Sequence, residues 1–127
     1  MEQFRQLLVL EWLILSDNFL SGELPRVIGN ISSIGLLDLF NNRLSGKVPE
    51  SLEDLSRIRQ HYPHRNQLSG EIPTKLGSCT NLNKLDLSYN MLTGRIPENI
   101  SGIVKIFLNL LNNFLQGPLH TCFSKMY

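Results

Sequence analysis

Two histidines three residues apart, His61 and His64, are the first residues in this 127-residue chain whose type and spacing invite chemistry. An H-x-x-H pair is a fragment of a metal site, because two imidazoles can share one divalent ion. No carboxylate or third ligand is spaced with them, so no metal is expected. Arg57, Arg59 and Arg65 complete a small basic patch, which reads as a solvated rim. Asp38 and Asp86 could in principle form an acid–base pair, but carboxylates recur one per repeating unit, which is a property of the repeat rather than of a catalytic dyad. Two cysteines, Cys79 and Cys122, are too few for a disulfide framework. A phosphate-binding glycine loop, a CxxC pair, a GxSxG elbow and a kinase lysine or metal-binding triplet are all missing. His64-Arg65-Asn66 is not a kinase catalytic loop. The expectation is no catalytic residue, no metal and no cofactor.

Bulk properties narrow the partners. Twelve basic and eleven acidic residues leave a net charge of +1, which gives no drive toward nucleic acid. No stretch approaches the roughly 18 apolar residues of a membrane span. The opening MEQFRQLLVLEWLIL is broken by Glu11, and no small-residue cleavage site follows it. A 42% apolar content in this length suits one elongated core rather than two domains.

What must position these side chains is a repeat. The stretch LNKLDLSYNMLTGRIP at Leu82 to Pro97 returns at steps of 24 residues. Asn90 falls on Asn66, Asn42 and Asn18; Gly94 falls on Gly70, Gly46 and Gly22; Pro97 falls on Pro73, Pro49 and Pro25. A fifth copy arrives one residue early, with Asn113, Leu115 and Gly117. A period in the low twenties with this leucine and asparagine spacing marks a solenoid. The expected fold is an α/β solenoid, one domain over residues 1–127. It has one parallel strand per unit on the concave face, loops or 3-10 turns on the convex side, and no cap at either end. Phe4, Leu7 and Leu10 share the register of Leu76, Cys79 and Leu82, so the chain is expected to start inside a unit. Cys79 then reads as a small buried apolar residue, and Cys122 as exposed and unbridged to it.

Between strands, apolar residues follow at three-residue steps: Ile28, Ile31, Ile34, then Leu52, Leu55, Ile58. Asn18, Asn42, Asn66, Asn90 and Asn113 should stack as an internal ladder. Each amide supplies donors and an acceptor where the chain leaves the strand. Unit three departs from the pattern, since His61 and Pro63 stand where inward leucines belong. A buried histidine needs a partner, and proline removes a donor from a sheet. In unit five, His120 replaces the repeat proline.

The tails LSGELP, LSGKVP, LSGEIP and LTGRIP, with the register above, resemble the plant-type leucine-rich repeat. The resemblance runs from about Phe4 to Met126. It implies part of the ectodomain of a plant receptor-like serine/threonine kinase, used in signal perception outside the plasma membrane. The partners implied are a peptide or protein ligand and a co-receptor ectodomain, and any kinase domain lies outside this chain. Two alternatives stand beside it: a secreted inhibitor of the polygalacturonase-inhibitor type, or a truncated remnant.

Alternation along each strand sends three side chains per unit outward. The columns are Trp12, Leu36, Gln60, Lys84, Phe107; Ile14, Asp38, Tyr62, Asp86, Asn109; and Ser16, Phe40, His64, Ser88, Leu111. No packing demand sets their identity, yet Trp12, Ile14, Leu36 and Phe40 place large apolar groups toward solvent. With Asp38, Tyr62, Lys84 and Asp86 they form the expected ligand-binding face. Asn30-Ile31-Ser32 and Asn99-Ile100-Ser101 are glycosylation sequons, with both asparagines expected at the surface.

Overall fold

The computed structural model describes residues 9–102 and 107–119. Phe4, Leu7, His120, Cys122 and Met126 lie outside the described residues. Among the described residues, nine short strands and four 3-10 turns follow one another along the chain. Strands β1 (Trp12–Ile14), β3 (Leu36–Asp38), β5 (Gln60–Tyr62), β7 (Lys84–Asp86) and β9 (Phe107–Asn109) form one parallel five-stranded sheet in that order. Trp12 pairs with Leu36, Leu36 with Gln60, Gln60 with Lys84, and Lys84 with Phe107. The last step is one residue short, so unit five absorbs its deletion before the strand begins.

The strand ladder has one missing rung. Leu15, Leu39 and Leu87 donate backbone N–H groups to the carbonyls of Asp38, Tyr62 and Asn109 at 2.8, 3.0 and 2.9 Å. Pro63 holds the same place in unit three and has no N–H to give. Pairing of β5 with β7 therefore stops at His61 opposite Leu85, whereas the other pairs of this sheet run to a third residue. The proline lies just past the strand and is buried.

The three-residue apolar step becomes a chain of i to i+3 bonds. Ile28, Ile31 and Ile34 donate in turn to Pro25, Ile28 and Ile31 at 3.2, 3.2 and 3.1 Å. Units two and three repeat this from Pro49 and Pro73. Three residues per turn is the 3-10 period, which brings i and i+3 side chains onto one line. Here that line faces inward, giving η1 (Arg26–Asn30), η2 (Glu50–Asp54), η3 (Thr74–Ser78) and η4 (Glu98–Gly102). No α-helix occurs among the described residues, and none of their helices is long and apolar enough to cross a membrane. Gly29 lets η1 approach η2: a Cβ there would stand 2.5 Å from the carbonyl oxygen of Ser51.

The repeat pattern does not foretell a second sheet. The tails after each asparagine form β2 (Ser21–Glu23), β4 (Arg43–Lys47), β6 (Gln67–Glu71) and β8 (Met91–Thr93), again parallel and in order. Gly22 pairs with Leu44 and Gly46 with Leu68, a stagger of two residues relative to the first sheet. The asparagine ladder causes that stagger. Leu44 and Leu68 donate their N–H groups to Oδ1 of Asn66 and Asn90 at 2.9 and 3.0 Å, where a ladder carbonyl would otherwise sit. Each corner also needs a left-handed residue just before the asparagine, at Asp17, Asn41, Arg65, Tyr89 and Asn112, with φ between 54° and 58°.

The core is a single file of inward residues. Ile34, Leu37, Leu55, Leu68, Leu85, Leu87 and Leu92 are fully buried. Each contributes roughly 1.5–3 kcal/mol by leaving water. Cys79 joins them, its thiol pointed at the Leu52 carbonyl at 3.6 Å and pushed up to about 11 by burial, then by Glu53. His61 fills the leucine position between Leu37 and Leu85 at 1% exposure.

Candidate functional site

The outward columns lie side by side on the five-stranded sheet, with strands about 4.8 Å apart. His61 and His64 point to opposite faces of this sheet, one into the core and one outward, so they cannot share an ion. No group of three metal-ligating side chains is found among the described residues.

The acidic column has a structural duty and a free hand. Asp38 Oδ1 accepts from Phe40 N–H at 3.0 Å, and Asp86 Oδ1 accepts from Ser88 N–H at 3.0 Å and Ser88 Oγ–H at 2.6 Å. Asn109 in the same column repeats the bond to Leu111 N–H at 3.0 Å. A short side chain with one acceptor braces the corner in this way in units two, four and five, where units one and three carry Ile14 and Tyr62 instead. The second oxygen of each aspartate is left to the groove.

Aromatic rings wall that groove. Phe40 stacks on His64 with centroids 4.3 Å apart at 23°. Tyr62 meets His64 edge-on at 6.2 Å and 82°. The Tyr62 hydroxyl donates to Gln60 Oε1 at 3.0 Å. Nδ1 of His64 is buried without a hydrogen bond and lies 3.7 Å from Asp86 Oδ2. Burial raises the Tyr62 phenol above its usual pKa, and the charges of Asp38 and Asp86 raise it further. Asp38, Phe40, Tyr62, His64 and Asp86, with Lys84 and Phe107, line an open groove of about 490 Å³.

The expected face thus divides. Asp38, Phe40, Tyr62, Lys84 and Asp86 come together, joined by His64 and Phe107. Both additions stand in the outward columns. His64 carries the additional cue of facing Phe40 across one strand step. Trp12 and Leu36 line a separate depression of about 630 Å³ with Arg57, Arg59 and Gln60. Ile14, 56% exposed, lines neither hollow, and Trp12 is 68% exposed. Asn30 and Asn99 are both exposed, with the Asn99 amide donating to the Thr74 carbonyl at 2.8 Å.

Comparison with known proteins places this geometry among others. The family model described as Leucine Rich Repeat matches residues 9–31, 33–55 and 81–103. Receptor-like protein 39 of Arabidopsis thaliana is 39% identical over 47 residues, which are 37% of this chain and 5% of that protein. The ectodomain of the plant membrane receptor kinase GASSHO1/SCHENGEN3 from Arabidopsis thaliana was solved in complex with CASPARIAN STRIP INTEGRITY FACTOR 2. It superposes with a TM-score of 0.89 at 37% identity, covering 99% of this chain and 15% of that one. The plant peptide hormone receptor RGFR1, in complex with RGF2, gives a TM-score of 0.89 at 34% identity, covering 92% and 19%. The chain spans a fifth or less of the length of each of these relatives.

Proposed function

This chain belongs to the leucine-rich repeat family, and from that premise we propose that it is a peptide-recognition segment of a plant cell-surface receptor. The observation that carries this reading is the aromatic-walled groove on the strand face. Phe40, Tyr62, His64 and Phe107 converge there around the one oxygen of each aspartate that the backbone does not engage. A concave site with apolar walls and a few aimed polar groups is the usual form of a ligand site. An extended peptide lying across the strands would run along the columns and meet one repeat unit after another, with side-chain pockets giving specificity. We place the segment on the extracellular side of the plasma membrane, beside a co-receptor ectodomain, within one solenoid of about five units.

The test uses the full-length receptor carrying this stretch, with Trp12→Ala and Phe40→Ala made singly and together. Phe40→Ala should weaken ligand binding at least about tenfold, as expected for a buried aromatic anchor, with the unfolding midpoint little changed. Trp12→Ala should matter less, because Trp12 lies outside this groove. Full affinity in the double variant would reject the reading. An extracellular location also carries a chemical expectation. Asn30 and Asn99 should bear N-glycans in a secretory host, with Asn30 the more fully occupied, since the Asn99 amide is already engaged by Thr74. Glycosidase treatment followed by peptide mass mapping reports both, and unmodified Asn30 in a secreted product would count against it.

A further inference from the structure

We propose that the groove between Asp38 and Asp86 takes the guanidinium of an arginine side chain on a peptide ligand, an inference that rests on the peptide-recognition reading above.

The charges come first. Asp38 and Asp86 occupy one outward column on β3 and β7, with Tyr62 of β5 between them. One oxygen of each is tied to the backbone two residues on. The other oxygen of Asp38 has no partner among the described residues. That of Asp86 has only the His64 nitrogen at 3.7 Å, too far for a hydrogen bond. Lys84 is the one lysine or arginine lining the groove and forms no ion pair among the described residues. Two carboxylates outnumber the one ammonium in the groove.

The walls decide which cation. A guanidinium is flat, weakly hydrated, and able to lie on a ring while its N–H fork meets a carboxylate, whereas an ammonium is a compact, strongly hydrated point charge. The Phe40–His64 stack and the Tyr62 ring supply the flat surface. The free oxygens of Asp38 and Asp86 stand on either side to accept. A neutral apolar side chain would cover the rings but strip water from two carboxylates without replacing it. An acidic one would be repelled.

A displayed random dodecapeptide library selected against the 127-residue chain tests this, alongside selection on Asp38→Asn/Asp86→Asn. Asparagine is the right replacement, because Asn109 makes the same backbone bond from the same column; the charge goes while the corner stays. A thermal melt of the variant checks that it does. Arginine should be enriched at one position on the wild-type chain and not on the variant. In the best synthetic binder, changing that arginine to citrulline should weaken binding at least about tenfold, the scale of one charge-assisted hydrogen bond. Binders without arginine enrichment, or enrichment that persists on the variant, overturn the inference and leave peptide recognition standing. A library yielding no binder on either protein overturns both.

Discussion

Replacing His61 by leucine should stabilise the chain by about 2 kcal/mol at pH 7 and by about 4 kcal/mol at pH 5. The first figure comes from burial. The imidazole sits at 1% exposure in a file of leucines. Among the described residues its Nε2 has no partner, and its Nδ1 reaches only the Leu37 carbonyl at 3.4 Å. A buried polar atom left unpaired costs roughly 1–3 kcal/mol, and leucine removes it while restoring apolar contact on both sides. The second figure adds proton linkage. Burial lowers the His61 pKa from 6.5 to about 4, partly offset by the Leu37 carbonyl. Between those values the unfolded chain binds the proton and the folded chain does not. Stability therefore falls as pH drops from about 6.5 toward about 4. Each pKa unit is worth about 1.4 kcal/mol.

Urea titrations of both proteins at pH 7 and pH 5 check this. The leucine variant should have the higher midpoint at both and should lose this part of the acid sensitivity. A variant midpoint at or below wild type at pH 7 would mean that the imidazole pairs with a group that leucine cannot replace. Adding Pro63→Leu should do little more. The new rung to the Asp86 carbonyl is worth about 1 kcal/mol, but the unfolded chain regains about 0.4–1 kcal/mol of freedom that proline withheld.

Asn66→Ala should cost about 3–4 kcal/mol, a large share of the roughly 5–15 kcal/mol that holds most domains folded. Its Oδ1 accepts from Leu44 N–H at 2.9 Å, and its amide donates to the carbonyls of Leu39 and Pro63 at 2.9 and 3.0 Å. Alanine would leave the Leu44 donor buried with nothing in its place and take from the Leu39 carbonyl the shorter of its two bonds, leaving it the Asn42 amide at 3.2 Å. Asn66→Asp should be nearly as damaging, because a carboxylate keeps the acceptor and turns the donor end against carbonyls. Asn18→Ala offers the internal control. Asn18 is exposed and, among the described residues, bonds only the Leu15 and Ser16 carbonyls of its own turn, so its loss should cost less than about 1 kcal/mol. Thermal melts of the three variants under one condition decide the matter. Equal losses at Asn18 and Asn66 would contradict an internal hydrogen-bond ladder.

Much of this molecule was legible because a solenoid is local. Each unit packs chiefly on its neighbours, so a position's place in the period sets which way it faces. That is why Leu37, Leu85 and the misplaced His61 could be assigned to the core, and Lys84, Asp86 and Phe40 to the outward columns, from spacing alone. The asparagines were legible for a related reason: one side chain with both a donor and an acceptor, recurring where the strand ends, has few other uses. The three-residue step from Ile28 to Ile34 likewise carries its own geometry, since only a 3-10 turn brings that period onto one side.

What the period could not supply is the relation between columns. The second sheet depends on asparagine side chains replacing backbone rungs, which shifts its pairing by two residues relative to the first. No residue in the LSGxIP tails encodes that offset. The division of the outward face is likewise a tertiary result. Trp12, Leu36 and Phe40 are equivalent by composition. Phe40 joins the groove because its ring reaches the next strand and lies on His64, while Trp12 and Leu36 border the hollow beside Arg57 and Arg59. Spacing along the chain determines which face a side chain occupies. Which neighbours it meets there depends on rotamers and on rings touching across strands, contacts between residues about 24 positions apart.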